Sequence, residues 1–147
     1  MEGQAHTVRK NKGSGQWSLD SGQWTEQRNS MKLLYYKELK VWQKAMDLVD
    51  GIYVITRQFP KSEVYALASQ MQRAAVAIPS NIAEGACRNH TPEFIQFLGI
   101  AYGSAGELET QILISKKQYP EFDYKKVESI LIEVQKMLNG LVSSLKK

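Results

Sequence analysis

Residues 36–59 read YKELKVWQKAMDLVDGIYVITRQF. Their apolar members recur three and four apart, the spacing that gathers side chains on one side of a helix. Two stripes run side by side: Leu39, Trp42, Met46, Val49 and Tyr53 form one, and Val41, Ala45, Leu48, Ile52, Ile55 and Phe59 form the other. A single seam would need only one stripe. A helix over about 36–58 is therefore expected to be covered on two sides, the second by another subunit. Phe59-Pro60 ends it, because the residue before a proline is pushed out of the helical region.

Three further amphipathic segments follow. Ser62 is a candidate N-cap for a second helix running to about Cys87, with Val64, Leu67, Met71, Ala74, Ile78, Asn81 and Gly85 on its seam. Thr91-Pro92-Glu93 reads as an N-cap, a proline in the first turn and an acid at the positive helix end. The third helix that they open carries Phe94, Leu98, Ala101, Ala105, Leu108 and Ile112. Tyr119-Pro120 closes it, Asp123 can cap the fourth, and Val127, Leu131, Val134, Leu138, Leu141 and Leu145 complete an apolar seam. Short connections favour antiparallel neighbours, so the expected fold is an all-α, antiparallel up-down-up-down four-helix bundle over residues 32–147.

Upstream, residues 1–31 are rich in Gly, Ser, Gln and Asn and repeat Ser-Gly-Gln-Trp at 14–17 and 21–24. So little apolar surface accompanies the two tryptophans that this segment is expected to be a disordered extension. The whole chain has 147 residues, 43% of them hydrophobic, enough for one core without metal or disulfides. Its one cysteine, Cys87, excludes an internal disulfide framework. With neither a secretory signal nor a membrane span in the sequence, a cytoplasmic location is expected. The formal charge of +4 is modest, and self-association would concentrate it.

Two places break helical rules. Pro79 lies inside the second helix, where it removes a donor and crowds the preceding turn at a cost of roughly 3 kcal/mol, so a kink is expected there. Asn81, on the seam, is placed to bond across to a neighbouring helix. In the third helix Gly99, Gly103 and Gly106 each cost about 1 kcal/mol relative to alanine. The expected gain is close helix contact, a bulky side chain such as an aromatic of the first helix packing against them.

The segment Ile78-Pro79-Ser80-Asn81-Ile82-Ala83-Glu84-Gly85 resembles the signature of the 23S ribosomal RNA intervening-sequence proteins. Leu39 to Ala45, Phe59-Pro60 with Glu63, Gln70 to Ala75, Arg88, and Gly103-Ser104 with Glu107 and Glu109 look like that family's recurrent positions in order. Gln72 departs from it, standing where the family often has a second basic residue beside the one matched by Arg73. The resemblance implies a bacterial four-helix bundle that assembles as a homopentameric ring. It also implies kinship with the accessory variability proteins of diversity-generating retroelements, which bind a reverse transcriptase and nucleic acid.

Chemistry read from the residues is sparse. Cys87 and His90 are three apart, but the other histidine, His6, is far upstream, so no metal site or cofactor is expected. No base, orienting group or oxyanion loop accompanies Cys87, and Glu107 and Glu109 point to different sides of a helix. No enzyme is expected. Lys37, Lys40 and Lys44 on successive turns of the first helix, with Arg73 and Arg88, are the candidate nucleic-acid contacts. Pro79, Ser80, Asn81, Glu84 and Gly85 are assigned to a structural motif, Glu84 being placed to pair with Arg88. The expected function is a homo-oligomeric scaffold and RNA- or DNA-binding accessory, with a protein–protein adaptor as the alternative.

Overall fold

A computed structural model describes residues 36–88 and 90–147, together with the short segments Arg9–Lys10 and Trp17–Ser18. The latter two, β1 and β2, pair antiparallel with Arg9 opposite Ser18 and Lys10 opposite Trp17. The disordered extension expected over 1–31 otherwise lies outside the described residues. The remainder is a helical bundle: α1 (Lys40–Thr56), α2 (Leu67–Cys87), α3 (Thr91–Gln118) and α4 (Lys125–Leu145), with a 3₁₀ turn at Lys61–Glu63.

Apolar periodicity locates the core correctly and the helix starts less well. In α1 the stripe Val41, Ala45, Leu48, Ile52 and Ile55 is buried. The helix begins later than expected, however, because Leu39 is extended (φ −66°, ψ 123°) and separates Tyr36–Glu38 from it. The second helix also starts late. Ser62 does not cap it; the chain makes a 3₁₀ turn first, so Val64, expected on the seam, is exposed, and Glu63 Oε2 accepts the Leu67 N–H at 3.1 Å. A side chain four residues upstream thus satisfies one of the orphan donors of α2. Helix α3 begins at Thr91 with Pro92 in its first turn, one residue earlier than the cap assignment.

Each helix packs on two others: α1 on α2 and α4, and α3 on α2 and α4, with no packing across either diagonal among the described residues. Between α3 and α4 the contacts run in opposite sequence order, from Lys116 with Glu128, through Glu109 with Gln135, to Tyr102 with Asn139. Leu48, Ile52, Met71, Ile78, Ile82, Leu98, Leu108 and Leu138 are fully buried between the four.

Two glycines set helix separations. A Cβ on Gly85 would stand 2.6 Å from Phe97 Cβ, and one on Gly51 would stand 2.8 Å from Val127 Cγ1. The glycines of α3 behave otherwise. A Cβ on Gly99, Gly103 or Gly106 would meet nothing within 4 Å among the described residues, so the close contact expected there with the first helix is absent. Those positions turn outward, away from the buried line of Leu98, Ala101, Ala105 and Leu108.

Helix α2 is continuous through Pro79, which is buried. The Asn81 side chain does not reach a neighbouring helix: its Nδ2 donates to Ala77 O at 2.7 Å, one turn back. An asparagine on a helix can bond its own i−4 carbonyl at little entropic cost, and that local bond displaces the expected cross-helix clasp.

Candidate nucleic-acid interface

The five cationic residues do not converge. Lys40 and Lys44, four apart on α1, share a side of that helix, and Lys44 Nζ lies 3.4 Å from Glu133 Oε2 of α4. The two side chains are 39% and 49% exposed, so the pair contributes only tenths of a kcal/mol, yet it compensates the Lys44 charge locally. Lys37 precedes the break at Leu39 and is therefore not on a successive turn of α1; its Nζ lies 6.0 Å from the Tyr36 ring centroid. Arg73 and Arg88 are fifteen residues apart, about 22 Å along a helix axis. Both are exposed on the outer side of α2.

Of the signature residues, Glu84 and Gly85 meet Arg88 and two phenylalanines of α3. Phe94 and Phe97 of α3 sit against Gly85, the Arg88 guanidinium lies 5.3 Å from the Phe97 ring centroid, and Arg88 Nη2 donates to Glu84 Oε1 at 3.3 Å. Gly85 permits the approach, Phe97 fills it and Arg88 covers the ring from outside, an arrangement in which cation–π attraction and the i,i+4 pair act on the same side chain. Asn81 is committed to Ala77 O, and Ser80 is exposed. Gln72, the departure from the basic pattern, also has a structural use: its Nε2 donates to Thr56 Oγ1 at 3.0 Å, tying α2 to the end of α1.

Two grooves flank α1. One, about 670 Å³, lies against α4 and includes Asp47, Asp50, Asp123 and Glu133 with Lys44 and Lys126, a lining more acidic than basic that does not suit phosphate. The other, about 350 Å³, lies against α2 and is apolar, with Trp42, Met46, Val49, Val76 and Pro79. Cys87 is exposed, and no group of three or more His, Cys, Asp or Glu able to hold a metal occurs among the described residues. No helix there is long and apolar enough to cross a membrane.

The model of the family described as 23S rRNA-intervening sequence protein matches residues 37–140, more than two thirds of the chain. The chain belongs to that family. Family membership thus covers everything from the segment before α1 to the later turns of α4 and leaves the N-terminal extension outside. A solved structure of similar fold is that of a protein with unknown function from the S23 ribosomal protein family of Bacteroides thetaiotaomicron, with a TM-score of 0.63 at 20% identity over 69% of this chain and 97% of that one. No curated protein matches.

In this family member one constellation is not announced by the residue pattern. At the end of the bundle opposite Gly85, Tyr119 Oη donates to Glu63 Oε1 at 2.7 Å. Tyr124, buried, has its hydroxyl 2.9 Å from Tyr119 O and 3.1 Å from Ser115 O, carbonyls at the end of α3 where the helix runs out of its own donors. Phe59 stacks on Phe122 with centroids 5.6 Å apart and lies 5.2 Å from Tyr119. The Tyr119 hydroxyl is held above its ordinary value first by its bond to Glu63, and that of Tyr124 first by burial. The signal available in sequence is the aromatic density of Tyr119, Phe122 and Tyr124 around Pro120; nothing local marks Glu63 as their partner.

Proposed function

We propose that this chain is a non-enzymatic scaffold: an antiparallel up-down-up-down bundle, bent at Pro79, that assembles in the cytoplasm as a homopentameric ring and serves as a nucleic-acid-binding accessory to a reverse transcriptase. The observation that supports it is the state of the cations. Lys37, Lys40 and Arg73 are exposed and form no ion pair among the described residues. Charges dispersed over one bundle become a continuous positive surface when a ring repeats them.

The test is binding of fluorescent single-stranded RNA and DNA to the assembled protein across a salt series. Phosphate contacts release counterions, so affinity is expected to fall steeply with salt and to weaken when Lys37, Lys40 and Arg73 are replaced together. No binding at low salt sinks this reading and leaves the protein–protein adaptor. That second reading is favoured by the exposed Ile100, Tyr102, Leu113 and Ile114 of α3. Retention of a protein partner, with nucleic acid left behind, would establish it.

A further inference from the structure

Helix α3 is apolar on more of its circumference than the bundle covers. Gly99, Gly103 and Gly106 fall within about 60° of arc on its outer side, at 100° per residue. Exposed Ile100 and Ile114 border them on one flank and Tyr102 and Leu113 on the other. Glycine inside a helix destabilises it, and no contact among the described residues uses the missing side chains. A surface beyond the described residues that approaches the α3 backbone closely would supply the gain.

The chain carries a complementary surface. Met46 and Val76, 41% and 39% exposed, stand with Trp42 and Val49 along the apolar groove between α1 and α2. Since α1 and α3 do not pack together, one copy can present both surfaces at once. Charge agrees as well. Residues 91–115 contain Glu93, Glu107 and Glu109 and no Lys, Arg or His, whereas Arg73 lies one turn before Val76 and Lys37 follows the groove residue Tyr36.

We infer that the glycine-lined face of α3 in one copy lies in the α1–α2 groove of the next, bulky Trp42 and Met46 entering the space that the glycines leave. This rests on the homo-oligomer reading and deepens it by naming the two faces. Because the faces differ, the contact is head-to-tail, and it closes into a ring when its rotation divides a full turn. A self-complementary α3 to α3 contact would leave the groove bare and bring two acidic helix faces together.

The test uses the full chain carrying Cys87→Ser with Met46→Cys, Gly103→Cys, or both, under mild oxidation. The chain with both is expected to give a ladder of disulfide-linked multimers on denaturing gels, and neither single variant is expected to cross-link. A cross-linked dimer from Gly103→Cys alone would overturn the proposal in favour of α3 to α3 pairing. In light scattering Gly103→Leu, whose Cβ meets nothing within 4 Å among the described residues, is expected to lose the multimer mass with helix content kept, while Gly140→Leu, equally free of described neighbours on α4, keeps it. An assembly indifferent to Gly103→Leu and giving no ladder overturns the contact and leaves the ring standing. A monomeric unsubstituted protein overturns both.

Discussion

Tyr119 and Glu63 are 56 residues apart in sequence and 2.7 Å apart at their oxygens, the hydroxyl of one donating to the carboxylate of the other. The same carboxylate caps the start of α2 through its second oxygen, so one side chain joins the entry of α2 to the exit of α3. Tyr119→Phe removes that bond while keeping the ring stacked beside Phe59. It is expected to destabilise the fold by the worth of one hydrogen bond, read as a lower urea midpoint at unchanged slope. An unchanged midpoint would show that water replaces the bond in solution.

The same cluster makes stability sensitive to alkali. Both Tyr119 and Tyr124 hold their protons more tightly in the folded chain than at the ordinary value of 10.0. The folded state therefore binds more protons than the unfolded one above that pH, and the associated stability is complete below pH 10.0 and lost as pH rises beyond it. Urea midpoints are expected to fall across this range, and less steeply for Tyr119→Phe. Parallel curves for the two proteins would remove Tyr119 from the explanation.

Substituting alanine at two helical glycines should have opposite signs. At Gly85 the new methyl would stand 2.6 Å from Phe97 Cβ, and overpacking of this kind costs roughly 1–3 kcal/mol. At Gly140 the methyl would meet nothing within 4 Å among the described residues, and the gain in helix propensity is about 0.5–1 kcal/mol. Thermal midpoints of the two variants against the parent measure both, and a tolerated Gly85→Ala would mean that α2 and α3 can part without penalty.

Gln111 is buried with its Oε1 unpartnered among the described residues, while its Nε2 reaches Glu107 Oε1 at 3.3 Å. A buried acceptor left unpaired costs more than such a bond returns. Gln111→Met fills the same volume without the orphan oxygen and is expected to raise stability by about 1 kcal/mol in chemical denaturation. A decrease instead would reveal a partner for that oxygen in the assembled protein.

Among the cations, Lys44 should matter least to nucleic-acid binding, since Glu133 already compensates it. Arg73→Ala is expected to reduce the salt slope for single strands by about 0.7, the value for one phosphate no longer neutralised, and Lys44→Ala to leave it unchanged. The reverse order would place the interface on the α1–α4 side.

What can be read in the residues follows the range of the forces involved. The buried stripe of α1, the first turn of α3 and the seam of α4 are legible because each is decided by periodicity and neighbours within a few positions. The extended Leu39 and the 3₁₀ turn at Lys61–Glu63 are not, because a local pattern does not say where a chain must bend to meet a distant partner. Asn81 departs from expectation for the opposite reason: a bond within its own helix outcompetes one across the seam. The open glycines of α3 face outward rather than inward, and composition marks small residues without marking the side on which they are needed.

Cys87, the sole cysteine, stands exposed at the last position of α2. Maleimide dye coupled to the otherwise unaltered protein therefore places a single fluorophore on each chain at a defined site. The number of bleaching steps from an individual particle then counts the chains in it, without mass standards or a shape assumption.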